Sequence, residues 1–373
     1  MRIGIEAQRI FRSNKHGMDY VALETIRELQ AIDTENQYFI FVKPGDDRCL
    51  SETANFKIME LNCPSYPLWE QFMLPYTVAK LHLDLLHCTS NTAPIYSKTP
   101  LILTLHDIIF LEKRPAGNKS LYQNMGWYYR KLVVPRILEK CKKIITVSHF
   151  ECERIKSTLK LPEEQVIAIY NGYNEHFKPQ KTVEPVCNKY ISSQPFLFFL
   201  GNTDPKKNVP RTLKAYSLYL ERSANPLPLL IADIQEKTLN EILKSEKIES
   251  IRKHIHCPGY IDNKDLAYIY SGAHAFLYTS LRESFGIPIL EAMACGTPVI
   301  TGNVSAMPEI AGEGGILVDP TNTEAIAKSI LRLESDPTYY QEQVAYGLKR
   351  VKDFSWKQTA IKLLNIYKSY QKK

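Results

Sequence analysis

Leu281-Arg282-Glu283-Ser284-Phe285-Gly286-Ile287-Pro288-Ile289-Leu290-Glu291-Ala292-Met293-Ala294-Cys295-Gly296-Thr297-Pro298-Val299 reads as the end of one strand–helix unit and the start of the next. The apolar run 275–279 before it has strand length. Pro288 suits a first helical turn, where its missing N–H would be unpaired anyway. Gly296 marks the helix end and Val299 opens another strand. Such a passage belongs to an open α/β sheet, whose ligands bind beyond the carboxyl ends of the strands. Backbone N–H groups around Gly286 and Ile287 have no partner within the helix and form an anion site. Gly286 lets a ligand come close to the backbone. Glu283 in the loop and Glu291 on the second turn bracket that point. Their sign is wrong for a phosphate and right for accepting hydrogen bonds from hydroxyls on either side of it. On residue chemistry alone, a solvated loop charge and a surface helix residue fit equally well.

The alternation extends outward in both directions. Strand-length runs at 2–6, 38–42, 85–88, 101–105, 143–147 and 166–170 are mostly followed by turns and helical patterns, with 19–29 the first helix. Parallel units need this spacing, because each crossover must hold a helix. Asn171-Gly172 is a strong turn, and 178–194 is polar and proline-containing with no apolar period. Strands resume at 196–200, 228–232, 254–257, 275–279, 299–301 and 316–318, with helices over 209–219, 265–271, 288–295 and 323–333. The expected organisation is one α/β domain over 1–178, a linker over 179–194, a second α/β domain over 195–352 and a final helical segment over 353–373.

A chain of 373 residues exceeds one ordinary domain and suits two. Its 44% hydrophobic and 23% charged content is that of a globular protein rather than a disordered one. The net charge of +7 favours anionic partners without demanding nucleic acid. No run approaches the roughly 20 apolar residues that span a bilayer. Met1–Glu6 turns acidic at once, so no signal peptide is expected and a cytoplasmic setting is. The eight cysteines are scattered without a C-x-x-C pair, as suits free thiols in a reducing compartment.

The segment 283–299 resembles the E-x7-E signature of the GT-B glycosyltransferases of family 4. The likeness covers nearly the whole chain: Met1–Glu6 with Gly17, His106-Asp107, Thr146-Val147-Ser148, Tyr170-Asn171-Gly172, Leu200-Gly201 with Lys206-Lys207-Asn208, and Gly259-Tyr260-Ile261 occur in the family's order. The resemblance implies two Rossmann-like domains facing each other across a cleft, with a C-terminal helix crossing back to the first. It implies a nucleoside-diphosphate-sugar donor on the second domain and a saccharide or lipid-linked acceptor on the first. Transfer with retention of configuration follows, with no metal and no cofactor.

Roles carry over by position. Glu291 is expected on the ribose hydroxyls and Glu283 on the transferred sugar. Ser284, Phe285, Gly286 and Ile287 face the sugar and pyrophosphate, while Tyr260 and Ile261 flank the base. In the loop from Gly201, Lys207 stands at the phosphate lysine and neutralises the leaving diphosphate as a compact charge. Many members carry arginine directly after that glycine. Here the residue is Asn202, so the two-cation clamp is either reduced or rebuilt with Lys206. His106 is expected to donate to the donor sugar or shape its pocket, with Gly17 and Asp107 on the acceptor side. The Lys-Lys-Asn form of the loop resembles a branch rich in bacterial mannosyltransferases, which tilts the donor towards GDP-mannose and the setting towards envelope polysaccharide synthesis.

Other chemistries lack their residues. His254 and His256 share a face of one expected strand with no further ligands nearby, so a zinc site is not expected. There is no Asp-x-Asp, and no G-x-G-x-x-G follows a strand. Between Lys113 and Lys143 nine cations, including Arg130 and Lys131, meet only Glu139, with Tyr122, Trp127, Tyr128 and Tyr129 interleaved. A solvated helix face and a surface for anionic lipid headgroups both fit. No nucleic-acid motif accompanies them. A nucleotide-sugar epimerase or hydrolase of the same fold, or a non-catalytic sugar-binding protein, are the alternatives, because fold does not determine function.

Overall fold

The computed structural model describes residues 1–112, 121–192 and 195–371. The chain divides into two compact units, Met1–Gly172 with Ser355–Lys373, and Tyr173–Phe354.

The first unit is built on a seven-stranded sheet in the order β3-β2-β1-β4-β5-β6-β7. Its strands are β1 (Arg2–Glu6), β2 (Gln37–Val42), β3 (Phe56–Glu60), β4 (Leu85–Cys88), β5 (Leu101–Thr104), β6 (Cys141–Thr146) and β7 (Val166–Ala168). All pair in parallel. Both faces of such a sheet are covered, so its central strands read as continuous apolar runs, and β4 and β5 are buried along their whole length. The edge strand β3 has no counterpart among the expected strands. Its sequence Phe-Lys-Ile-Met-Glu exposes Lys57 and Glu60, and charges are how edge strands are blunted. Helices α1 (Gly17–Ile32), α2 (Tyr66–Leu68), α3 (Leu74–Lys80), α4 (Leu121–Leu138) and α5 (His149–Leu159) cover the sheet, with a π-helical turn at Trp69–Met73 joining α2 to α3.

The second unit carries six parallel strands in the order β10-β9-β8-β11-β12-β13. These are β8 (Phe196–Leu200), β9 (Leu229–Ala232), β10 (Ile255–Gly259), β11 (Ala273–Tyr278), β12 (Val299–Gly302) and β13 (Ile316–Val318). Its helices are α6 (Glu184–Cys187), α7 (Val209–Arg222), α8 (Glu236–Glu246), α9 (Leu266–Gly272), α10 (Ile287–Ala294), α11 (Met307–Ala311), α12 (Thr323–Ser335) and α13 (Pro337–Arg350). In each sheet the chain reverses its direction of winding once, between β1 and β4 and between β8 and β11. Those two reversals are the switch points at which open sheets leave room for ligands.

Three expectations are corrected. Residues 179–192 of the expected linker pack on the second unit, and 193–194 lie outside the described residues: Cys187 is buried, with its thiol 3.5 Å from the Tyr268 carbonyl, and the Gln180 N–H donates to Ser271 Oγ at 3.1 Å. The polar composition hid these contacts. The units divide at 172/173 and 354/355 rather than at 178 and 353. His254 ends a 3-10 turn, and only His256 lies in β10, so the two do not share a strand face.

The last helix, α14 (Trp356–Ser369), belongs to the first unit. Its Ala360, Leu363, Leu364 and Tyr367 join the core that holds Ile3, Ile5, Leu23 and Ile26. A side chain on Gly172 would start 2.2 Å from the Trp356 nitrogen, so only glycine fits where the outgoing and returning chains meet.

Candidate active site

Two loops leave the switch point of the second sheet. After β8, Asn202 Oδ1 accepts the Asp204 N–H at 2.8 Å, and Asp204 Oδ1 accepts the Lys206 N–H at 3.1 Å. These successive Asx turns wind Pro205–Lys207 into one 3-10 turn. Asn208 follows at φ 59, a left-handed conformation that Asn tolerates. Its Nδ2 donates to the Thr279 carbonyl at 3.0 Å and the Pro320 carbonyl at 2.6 Å. The Leu281 N–H donates to the Lys206 carbonyl at 2.7 Å. The lysine loop is thereby tied to the loop after β11.

That tie brings Lys207 Nζ to 2.8 Å from Glu283 Oε1 and 3.3 Å from the Tyr278 hydroxyl, 4.8 Å over the Tyr278 ring centre. The two charged side chains are only 15% and 12% exposed, so their attraction is little screened. Burial pushes the Glu283 carboxyl up, but the charges of Lys207 and Lys206 and hydrogen bonds from Lys207 and Ser280 outweigh it. The net result lies below the ordinary carboxylate value. The backbone is pinned as well, since the Glu283 N–H donates to Ser305 Oγ at 3.0 Å.

Gly286, at φ +102, turns the chain into α10. Phe285 is buried edge-on to Phe354, with ring centres 6.0 Å apart. Glu291 stands one turn into α10, within 3.4 Å of the hydroxyl of the buried Tyr270. Burial, opposed by that hydrogen bond, pushes Glu291 up to about 7. The two carboxylates of the E-x7-E segment are therefore electrostatically unlike: one is held ionised by lysines, the other is poised near neutrality. After β10, Ile261 is buried and Tyr260 is 67% exposed. Asn202 is exposed and spent on its turn, so the second cation acting on Glu283 is Lys206.

His106 lies in the first unit, just beyond β5, and is buried. Its Nε2 is 2.9 Å from the Thr89 carbonyl, which can only accept. Burial lowers its pKa, so the imidazole is neutral with the proton on Nε2, and Nδ1 is an acceptor. The backbone N–H of His106 donates to Asn91 Oδ1 at 2.7 Å. His106 lines a cavity of about 40 Å³ with His87, Thr89, Thr104, Asn171 and Tyr367. Asp107 Oδ1 accepts the Ile109 N–H at 3.0 Å. Gly17 opens α1 with nothing within 4 Å of the position a side chain would take. Sequence reasoning missed Glu6. This fully buried carboxyl ends β1, accepts the Gln8 and Thr89 N–H groups at 2.9 and 3.1 Å, and so holds the loop that holds His106. A lone acid closing an apolar strand was its only signal.

Two family models account for most of the chain. Residues 16–177 match Glycosyltransferase Family 4, and residues 188–350 match Glycosyl transferases group 1. The chain belongs to glycosyltransferase family 4. This family 4 chain is 31% identical over 237 residues to the O-antigen chain mannosyltransferase B of Escherichia coli, covering 62% of the chain and 61% of that relative. It is 26% identical over 268 residues to the serotype-specific mannosyltransferase WbdA of Escherichia coli, covering 69% of the chain but only 32% of that protein. Among solved structures, that of Anabaena Alr3699/HepE in complex with UDP and glucose superposes with a TM-score of 0.74 at 16% identity, over 99% of this chain and 100% of that one. The fold of the family 4 chain is GT-B, with two Rossmann-like domains.

Proposed function

We propose that the protein is a retaining hexosyltransferase that moves a sugar, with mannose favoured, from a nucleoside diphosphate to a saccharide or lipid-linked saccharide in envelope polysaccharide synthesis. The observation that carries this is the Lys207–Glu283 pair, desolvated and pinned beside the N-terminus of α10. On donor binding, Lys207 turns to the diphosphate and Glu283 accepts from the sugar hydroxyls. Glu291 takes the ribose, the Ser284–Ile287 backbone faces the pyrophosphate, and Tyr260 and Ile261 border the base. The bond from the anomeric carbon to the phosphate oxygen breaks as the bond to the acceptor oxygen forms on the same face. The acceptor proton passes to the departing phosphate, so no side-chain base is needed. Lys207, Lys206 and the helix N-terminus supply the positive charge that stabilises the leaving group, and a preorganised charge of this kind is often the largest catalytic contribution. No metal is assigned a part. The acceptor is assigned to the first unit, with Gly17 and Asp107, and the Nδ1 acceptor of His106 to a sugar hydroxyl.

The mannosyltransferase relatives favour GDP-mannose as donor. The test is a comparison of GDP-mannose with UDP-glucose, with anomeric configuration of the product read by NMR. An α-linked product from an α-linked donor is expected. Interconversion of the nucleotide sugar without any acceptor would mean an epimerase instead.

A further inference from the structure

The carboxyl edge of the second sheet is aligned by its own backbone. Ala232, which ends β9, pairs with Leu200 at the end of β8 and with Gly259 at the end of β10. The Gly201 N–H donates to the Ala232 carbonyl at 2.9 Å, and the Asp233 N–H donates to the Gly259 carbonyl at 2.7 Å. Gly201, Asp233 and Tyr260 therefore stand abreast, each one residue beyond strands spaced about 4.8 Å apart. Gly201 opens the lysine loop, and Tyr260 is the exposed ring after β10. Asp233 lies between them, exposed and at φ 60, a left-handed conformation that glycine adopts freely and aspartate at a cost. Asn91, Asn208 and Ser305 also hold positive φ, and each side chain fixes a backbone group nearby: the His106 N–H, the Thr279 and Pro320 carbonyls, and the Glu283 N–H. Asp233 has no such local use. Helix α8 begins after Gln235 without a side-chain cap, and among the described residues no hydrogen bond or ion pair engages the Asp233 carboxylate.

We propose that Asp233 selects the donor's base, its carboxylate accepting both the N1–H and the 2-amino group of guanine. The proposal rests on the donor-site reading above, in which Tyr260 and Ile261 border the base, and it adds the residue that tells one base from another. A strained, unbonded polar side chain at a sheet edge is the mark of a ligand contact. Electrostatics agree with the placement. Desolvation raises the Asp233 pKa and the charge of Lys207 opposes that rise, so the carboxylate lies within reach of the phosphate lysine. Its own charge acts on Tyr270, whose hydroxyl meets Glu291. Base chemistry chooses the ligand. Guanine presents its two donors side by side, one for each carboxylate oxygen, and such charge-assisted pairs are the strong ones. Uracil presents a single N–H between two carbonyls, so one carboxylate oxygen would face a carbonyl oxygen. Adenine offers its amino group beside a bare ring nitrogen, with the same penalty.

The test is calorimetric titration of the full chain and of Asp233→Asn with the diphosphates of guanosine, inosine, xanthosine and uridine. Wild type should bind the guanosine form at least about tenfold more tightly than the inosine form, which lacks the 2-amino group. Asparagine also tolerates a left-handed backbone, so the variant should keep the wild-type melting temperature. Its amide oxygen still accepts the N1–H, but its NH2 meets the guanine amino group donor to donor. Guanosine diphosphate should therefore weaken about a hundredfold. Xanthosine diphosphate, with a carbonyl in place of that amino group, should become the tighter ligand. With GDP-mannose as donor, KM should rise while kcat stays near wild type, as for a contact equal in ground and transition states. A variant that binds guanosine diphosphate like wild type overturns the proposal. So does one that weakens all four ligands alike, which would make Asp233 a ribose or phosphate contact. Wild type that prefers uridine diphosphate overturns the guanine assignment and leaves the donor site standing; wild type that binds none of the four overturns both.

Discussion

Lys207 and Glu283 neutralise each other at 2.8 Å, and each sets what the other can do. Removing the lysine leaves the glutamate buried with its desolvation unopposed. In Lys207→Ala the Glu283 pKa should therefore cross from below its ordinary value to above it, read by NMR titration, and turnover should fall roughly a hundredfold. Unchanged kinetics would sink the phosphate role. Glu291 behaves with the opposite sign. Its folded pKa is raised from 4.5 to about 7, so below 4.5 folded and unfolded chains both hold the proton and nothing is lost. Between 4.5 and 7 only the unfolded chain has released it, and stability declines with rising pH until both have. Glu291→Gln should accordingly be more stable than wild type above pH 7, on the order of 1 kcal/mol because the side chain is partly exposed. It should also lose the rise in nucleoside-diphosphate affinity that ionisation of a ribose acceptor brings. Denaturation and calorimetric titration across pH 5 to 8 would check both, and parallel wild-type and variant profiles would refute the ribose role.

At the scale of elements, the site depends on two loops that no regular secondary structure joins. Asn208 provides the join with two side-chain hydrogen bonds to buried carbonyls while holding a left-handed backbone. Asn208→Ala should cost about 2 to 4 kcal/mol, the sum of two lost acceptor contacts and a strained φ. It should also loosen Lys207 from Glu283, so activity should fall further than stability does; a urea titration beside initial rates separates the two. An intact rate in a destabilised variant would show that the lysine loop finds its place without this tie.

For the whole molecule, the returning α14 is held through a buried polar chain: Tyr367 hydroxyl to His87 Nδ1 at 2.6 Å, then His87 Nε2 to Thr104 Oγ1 at 2.7 Å. Burial first, and second the repulsion from His106 once acid protonates that imidazole too, push the His87 pKa down from 6.5 to about 3. A neutral histidine contributes its full stability above the unfolded value and loses it as pH falls from 6.5 towards 3, since only the unfolded chain takes up the proton. The first unit of wild type should therefore lose stability steadily over that acid range, and His87→Gln should show a flatter profile from a lower starting point. Deleting 355–373 should strip Leu363, Leu364 and Tyr367 from the core and leave the first unit aggregating, as dye binding to exposed apolar surface would report.

The sequence by itself determined the two α/β sheets, because parallel strands buried on both faces must be continuous apolar runs and cannot be disguised. It also disclosed the helix start at Gly286 and the lysine after Gly201, since a positive φ and a turn leave glycine, Asx and proline behind. Strand β3 escaped because an edge strand carries charge, and 179–194 passed for a linker because Cys187 and Ile191 are buried singly among polar neighbours. Tertiary structure alone decided which carboxylate is ionised. Glu283 and Glu291 have one chemistry in sequence, and only the lysines brought across from β8 and the Tyr270 hydroxyl brought from α9 make them differ. The tautomer of His106 was likewise invisible, because it is set by a carbonyl 17 residues away. Charge state depends on partners distant in sequence, whereas backbone conformation is written locally.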